Sequence, residues 1–237
     1  MADGTGYGVA SVAPVDTQWE STEHAPLTDT LGCTETRVDV YHLAAADPVD
    51  LPRDREQVVV SLGQTASSTL DGSPVPPCGA GRVPSGRRCA LDTDRAVTVF
   101  VVSVPRSAGD GSDPTTLDLA AVEYPVPSTS DVPTARLTAP LGCTGLKANA
   151  RVLGPDQAVP YHTEGSQEEL FVPIAGPGAV RVAGETVPAT PGTVVRVAPA
   201  TPRSALTDGD ARSRWVMFGA PPTGGPEEWD PGAVILE

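Results

Sequence analysis

Basic residues are scarce in this chain: Lys and Arg together number 16 against 30 Asp and Glu, and Lys147 is the only lysine. A net charge of −14 repels nucleic-acid phosphate and anionic membrane, so partners of either kind are not expected. Aromatic residues make up 4% of the chain, and no apolar run approaches the ~20 residues of a spanning helix. The start Met1-Ala2-Asp3-Gly4 has neither the basic nor the apolar region of a secretory leader, which predicts a soluble, cytoplasmic protein. Histidines number 3 and cysteines 4, and no C-x-x-C spacing supports a cysteine zinc site. Cys33 and Cys143 read as buried thiols, whereas Cys78 and Cys89 leave a disulfide open. The acidic residues are scattered through the chain, a surface of the halophilic type that serves solvation and marks no ligand site.

What the chain has in quantity is punctuation, with 26 prolines and 24 glycines separating short valine-rich runs. Runs at 37–42, 57–62, 96–104, 170–174, 179–182, 193–197 and 214–218 predict strands of an all-β protein, arranged as a sandwich or barrel. The stretch 64–82 reads as a loop of low complexity, 106–116 as a junction, and the tail around 233–236 as a returning strand.

The chain also repeats itself. Leu27-Thr28-Asp29-Thr30-Leu31-Gly32-Cys33-Thr34 returns as Leu137-Thr138-Ala139-Pro140-Leu141-Gly142-Cys143-Thr144, with six of eight residues identical at an offset of 110. Glu56 matches Glu169 at an offset of 113, and Arg88 in Pro84–Leu91 matches Arg203 in Pro199–Leu206 at 115. Slowly drifting offsets are what a duplication with small indels leaves, so two domains are expected, 1–110 and 111–237.

In the second copy, Pro160-Tyr161-His162-Thr163-Glu164 is followed by Glu168-Glu169 and Gly176, then by Gly184, Pro191-Gly192, Pro199 and Arg203. This spacing resembles the two motifs of the cupin superfamily; it covers 154–221 well and 33–105 of the first copy more faintly. The resemblance implies two tandem double-stranded β-helix (jelly-roll) barrels, a bicupin whose units pack as an intramolecular pseudo-dimer, with further homo-oligomers open. Cupins usually hold a divalent metal on three histidines and a glutamate. Here His162 matches the first histidine and Glu169 the glutamate, while Glu164 and Arg203 stand at the other two positions.

Three consequences follow for the site. His162, Glu164 and Glu169 offer one imidazole and two carboxylates, a set suited to Mn, Fe, Zn or Ni, and so to a metal-dependent cupin enzyme of the dioxygenase, isomerase or decarboxylase type. Against this, Glu and Arg recur together in both copies, so that Glu56 with Arg88 and Glu169 with Arg203 read as internal ion pairs that replace the metal. The reading drawn from these is a protein that binds a small polar or anionic metabolite in the second barrel through Tyr161, His162, Glu164, Glu169 and Arg203, its metal site atypical or lost; the metal-dependent enzyme is the alternative and a non-catalytic scaffold the second alternative. No catalytic residue is assigned. His24 and His42 belong to no motif, Trp215 and Phe218 fill the barrel, and Trp19 and Trp229 cover its ends.

Overall fold

The computed structural model describes residues 6–12, 19–62, 65–105, 112–207, 209–223, 230 and 232–236. Trp229 and most of the predicted junction lie outside them. Apart from two helical turns of four residues, Thr28–Leu31 and Thr138–Leu141, the elements are strands, and every strand pairing is antiparallel. Among the described residues no helix is long and apolar enough to cross a membrane.

Four sheets carry the chain. The first half places Glu23–Pro26, Arg37–Leu43, Val97–Pro105, Arg55–Ser61 and Ala80–Val83 side by side in one sheet. A smaller sheet holds Val49–Leu51, Cys89–Thr93, Ser68–Leu70 and Ser73–Val75. The second half repeats the plan with Thr134–Arg136, Lys147–Leu153, Ser213–Ala220, Glu168–Ala175 and Thr193–Val197. Its smaller sheet holds Val234–Ile235, His162–Thr163, Arg203–Leu206, Gly178–Val182 and Glu185–Ala189. Each large sheet gains its sixth strand from elsewhere: Tyr7–Ser11 pairs with Thr193–Val197 of the second half, and Thr115–Leu117 with Ala80–Val83 of the first. None of the sheets closes on itself into a barrel; facing sheets are joined by packing. The stretch read as a loop at 64–82 contains three short strands, because Leu70, Val75, Ala80 and Val83 point into the interior between its turns.

Strand alternation explains the long valine runs. In Arg55–Ser61, Val58 and Val60 join one core while Val59 joins another; in Val97–Pro105, Phe100 and Val102 face the first and Val99 and Val101 the second. The core of Val58 and Phe100 also contains Ala148, Ala150, Leu170, Val172, Ile174, Val216 and Phe218, so the two large sheets pack face to face. A strand apolar on both sides must read as a continuous run. Trp215 fills the second half's own core, whereas Phe218, expected to fill the same barrel, has the opposite parity and joins the shared core.

The echoed segment holds the halves together, and each of its repeated letters has a structural role. Leu31 and Leu141 are buried, and the hydroxyls of Thr28 and Thr138 accept the N–H groups of Val38 and Ala148. Gly32 (φ 65°) and Gly142 (φ 73°) end their turns in the left-handed region, which lets Cys33 N–H and Cys143 N–H reach the carbonyls of Thr28 and Thr138. The chain then presents Thr34 or Thr144 to a glutamate of the other half. Glu168 accepts N–H bonds from Thr34 (2.8 Å) and Thr36 (3.0 Å), both threonine hydroxyls, and an ion pair from Arg196 (2.8 Å). Glu56 accepts N–H bonds from Thr144 (3.0 Å) and Gly145 (3.2 Å), the Thr144 hydroxyl and a longer ion pair from Arg82 (3.3 Å). Both carboxylates are fully buried.

The true repeat partner of Glu56 is therefore Glu168, and the match to Glu169 was one residue out of register. The slip matters because successive strand residues face opposite sides.

The four cysteines are free thiols, so no disulfide joins Cys78 to Cys89. Burial, with Glu168 or Glu56 nearby, pushes the Cys33 and Cys143 thiols up to about 12, and both are partly rather than fully buried. At pH 8 these two should resist iodoacetamide in the folded protein and react on denaturation, as mass spectrometry of the alkylated peptides will show.

Burial raises a carboxyl pKa, but the bonds from Thr36, Thr34 and Arg196 overcome it and hold Glu168 below its ordinary 4.5. The folded state thus favours the ionised form, so its contribution is full above pH 4.5 and fades as pH falls through the lower folded value. Glu168→Ala, which strands Arg196, should cost about 3–5 kcal/mol at pH 7. In denaturant titrations the gap between wild type and this variant should narrow at acid pH.

Candidate functional site

The second half's interior is open where the first half's is filled. Along Lys147–Leu153, Ala148 and Ala150 face the shared core, so Lys147, Asn149 and Arg151 face the other way, into a cleft of about 460 Å³. Glu169 enters the same cleft from Glu168–Ala175, and Met217 from Ser213–Ala220. His162 comes from the short strand held between Arg203–Leu206 and the tail strand Val234–Ile235, which returns as predicted. Asp230 anchors the tail by accepting the N–H groups of Ser166, Gln167 and Gly232. Burial opposes ionisation of this carboxyl, but those bonds hold its pKa below the usual range.

Three ligand atoms converge at the cleft. His162 is buried and its Nδ1 lies 2.8 Å from the Pro160 carbonyl, which can only accept, so Nδ1 carries a proton. Its Nε2 then faces Glu164 Oε1 at 3.4 Å and Glu169 Oε2 at 3.7 Å. The ligand atoms of His162, Glu164 and Glu169 all lie within 4.8 Å of one another, the one such group of His, Cys, Asp or Glu among the described residues. Glu164 Oε2 is buried without a hydrogen-bond partner. Arg203 supplies one cation to Glu169, and the second carboxylate at the ring nitrogen needs another, either a proton on Nε2 or a metal ion. The unpartnered Glu164 oxygen fits the metal, because a proton on Nε2 leaves that oxygen unsatisfied.

Arg203 occupies the position opposite His162 in the strand pairing and is fully buried. Its guanidinium does not point at the three ligand atoms as a whole: Nε donates to Glu169 Oε2 (3.0 Å), and the terminal nitrogens donate to the carbonyls of Thr201 (2.8 Å) and Gln167 (3.3 Å). The predicted Glu169–Arg203 pair is present, and it orients a carboxylate that also faces His162. Arg203 therefore does not serve as an open anchor for an anion, since each of its three nitrogens already donates to a protein oxygen.

Two other expected contacts are absent for clear reasons. Arg88 is exposed on the smaller first-half sheet and pairs with Asp50 (2.6 Å); Glu56, with opposite facing, pairs with Arg82. Tyr161 turns away from the cleft, its ring under the Arg181 guanidinium (4.6 Å) and its hydroxyl accepting the Gly184 N–H (3.2 Å). In the first half, Leu51 pairs with Cys89 as His162 pairs with Arg203, and Gln57 follows Glu56 as Glu169 follows Glu168. Leu51 and Cys89 pack with Leu43, Val59 and Val99 in an apolar core. Arg136, Lys147, Asn149 and Arg151 were missed in the sequence. Their signal was the alternation of Lys, Asn and Arg with two alanines in one strand, which patterns like a half-exposed strand.

No family model and no curated protein matches this sequence. Solved structures do resemble the fold. A putative glyoxylate-induced protein from Pseudomonas aeruginosa aligns at TM-score 0.70 and 15% identity over 95% of this chain and 94% of its own. A cupin 2 conserved barrel domain protein from Leptotrichia buccalis aligns at 0.61 and 10% identity over 86% and 91%. A variant of Bacillus subtilis oxalate decarboxylase aligns at 0.68 and 12% identity over 97% and 79%. The chain thus has the all-β fold of cupin proteins, and at such identities the likeness extends no further than fold.

Arg203→Met should destabilise the protein by about 3–5 kcal/mol in chemical denaturation, since it leaves the Glu169 carboxylate without its buried partner. Arg88→Ala should leave the midpoint unmoved, its ion pair being exposed.

Proposed function

We propose that the chain is a bicupin whose second unit is a metal-dependent enzyme acting on a small polar or anionic metabolite. The observation that carries this is the convergence of His162 Nε2 and two carboxylates on one point, with a buried Glu164 oxygen that has no other partner. His162, Glu164 and Glu169 would hold a divalent ion such as Mn, Fe, Zn or Ni, and the Pro160 carbonyl fixes the imidazole tautomer that ligation needs. A bound ion would supply Lewis-acid polarisation of a substrate oxygen. Arg203 holds one Glu169 oxygen in place, and the tail strand holds the backbone of His162.

A binding function without metal is the second reading, favoured by the Arg203 guanidinium at Glu169, where it lowers the negative charge the cluster offers a cation. The scaffold reading accounts less well for a cleft lined with ionisable groups. Protein purified without chelator should contain about one such ion per chain by elemental analysis, and His162→Ala should lose it while keeping its fold by circular dichroism. Metal-free protein whose melting temperature is unmoved by Mn or Zn would overturn the enzyme in favour of the metal-free binder.

A further inference from the structure

The cleft holds a second unmet charge, of opposite sign. Arg151 lies on its wall, half-buried, with Nε shielded from solvent and without a hydrogen-bond partner, and it forms no ion pair among the described residues. A guanidinium with a buried, unused donor is costly unless a ligand accepts from it. Strand pairing sets its neighbours: Thr134 lies directly across from Arg151, and Arg136 across from Asn149, all lining the same cleft. The anions whose charge bears on Arg151 are Glu169 and Glu164, which belong to the cluster with His162. Burial disfavours its charge and the Arg136 guanidinium adds to this, while those carboxylates offset it only in part and make no ion pair with it.

An unpartnered donor on one wall and an unpartnered carboxylate oxygen on the other define what belongs between them. From this we infer that the Arg151 wall is the anion subsite of the cleft and takes the carboxylate of a small organic acid, whose other end faces the cation held by His162, Glu164 and Glu169. The volume, about 460 Å³, suits a small metabolite. A planar carboxylate matches the guanidinium edge, with the Asn149 amide as a further donor beside it; the Thr134 hydroxyl is spent on the Val132 carbonyl (3.0 Å). The inference deepens the proposed function and rests on it only for the cation.

Calorimetric titration with malonate, with and without Mn(II), tests it. Malonate should bind the Mn-loaded protein, and Arg151→Gln should raise its Kd at least tenfold while Mn(II) uptake is kept or tightened, since a neighbouring cation is gone. If that variant fails to fold, Arg151→Lys, which keeps the charge and loses the fork, should weaken malonate in the same direction. Malonate that binds neither form at millimolar concentration, or binds the variant as well as wild type, overturns the subsite even if metal is present. Inorganic phosphate bound as tightly with the same Arg151 dependence overturns the carboxylate assignment. If no Mn(II) binds but malonate still does so through Arg151, the metal reading fails and the subsite stands.

Discussion

The structure depends on two buried glutamates, each gripped by the opposite half of the chain. Glu168 is clasped by Thr34 and Thr36, and Glu56 by Thr144 and Gly145, each beside an arginine on the next strand. A buried carboxylate tolerates little misplacement, since every lost donor leaves charge unsolvated. The reciprocal clasps therefore fix how the two large sheets face one another, and with them the apolar core between.

The same strand that docks the halves also builds the cleft. Glu168 and Glu169 are neighbours in sequence and on opposite faces of the sheet, one satisfied by the other half and one aimed at His162. The rigidity the clasp needs is thereby shared with the cluster, because a strand shifted to free one glutamate would move the other. Only one half keeps this double use. In the first, Gln57, Leu51 and Cys89 replace the polar set, and the interior packs with apolar side chains. The first half contributes a docking surface and the strand Thr115–Leu117 binds it to the second, while Tyr7–Ser11 returns the exchange.

How much was legible in the sequence follows from which signals are local. The valine runs marked the long strands except Lys147–Leu153, which carries no such run, since a run of apolar β-branched residues has few other uses. His162, Glu164 and Glu169 stood out through motif spacing, and they do converge. The Glu56–Arg88 pair failed because an alignment one residue out sends a side chain to the other face, and only the ladder register reveals which face that is. Arg136, Lys147 and Arg151 escaped notice because scattered basic residues on a strand look like solvated surface until the sheet is placed against its partner.

The sequence alone determined the internal repeat, the all-β class and which three residues cluster, because repeats, periodicity and motif spacing are properties of the chain in one dimension. Only the tertiary structure decided that the Leu-Gly-Cys-Thr segment is a clasp between halves and that Arg203 serves Glu169 and backbone carbonyls, each of its three nitrogens already engaged. It also decided that Arg151 faces the cleft with an unused donor. These depend on which groups meet across the interior, and a carboxylate or guanidinium is defined chemically by the partner it finds there.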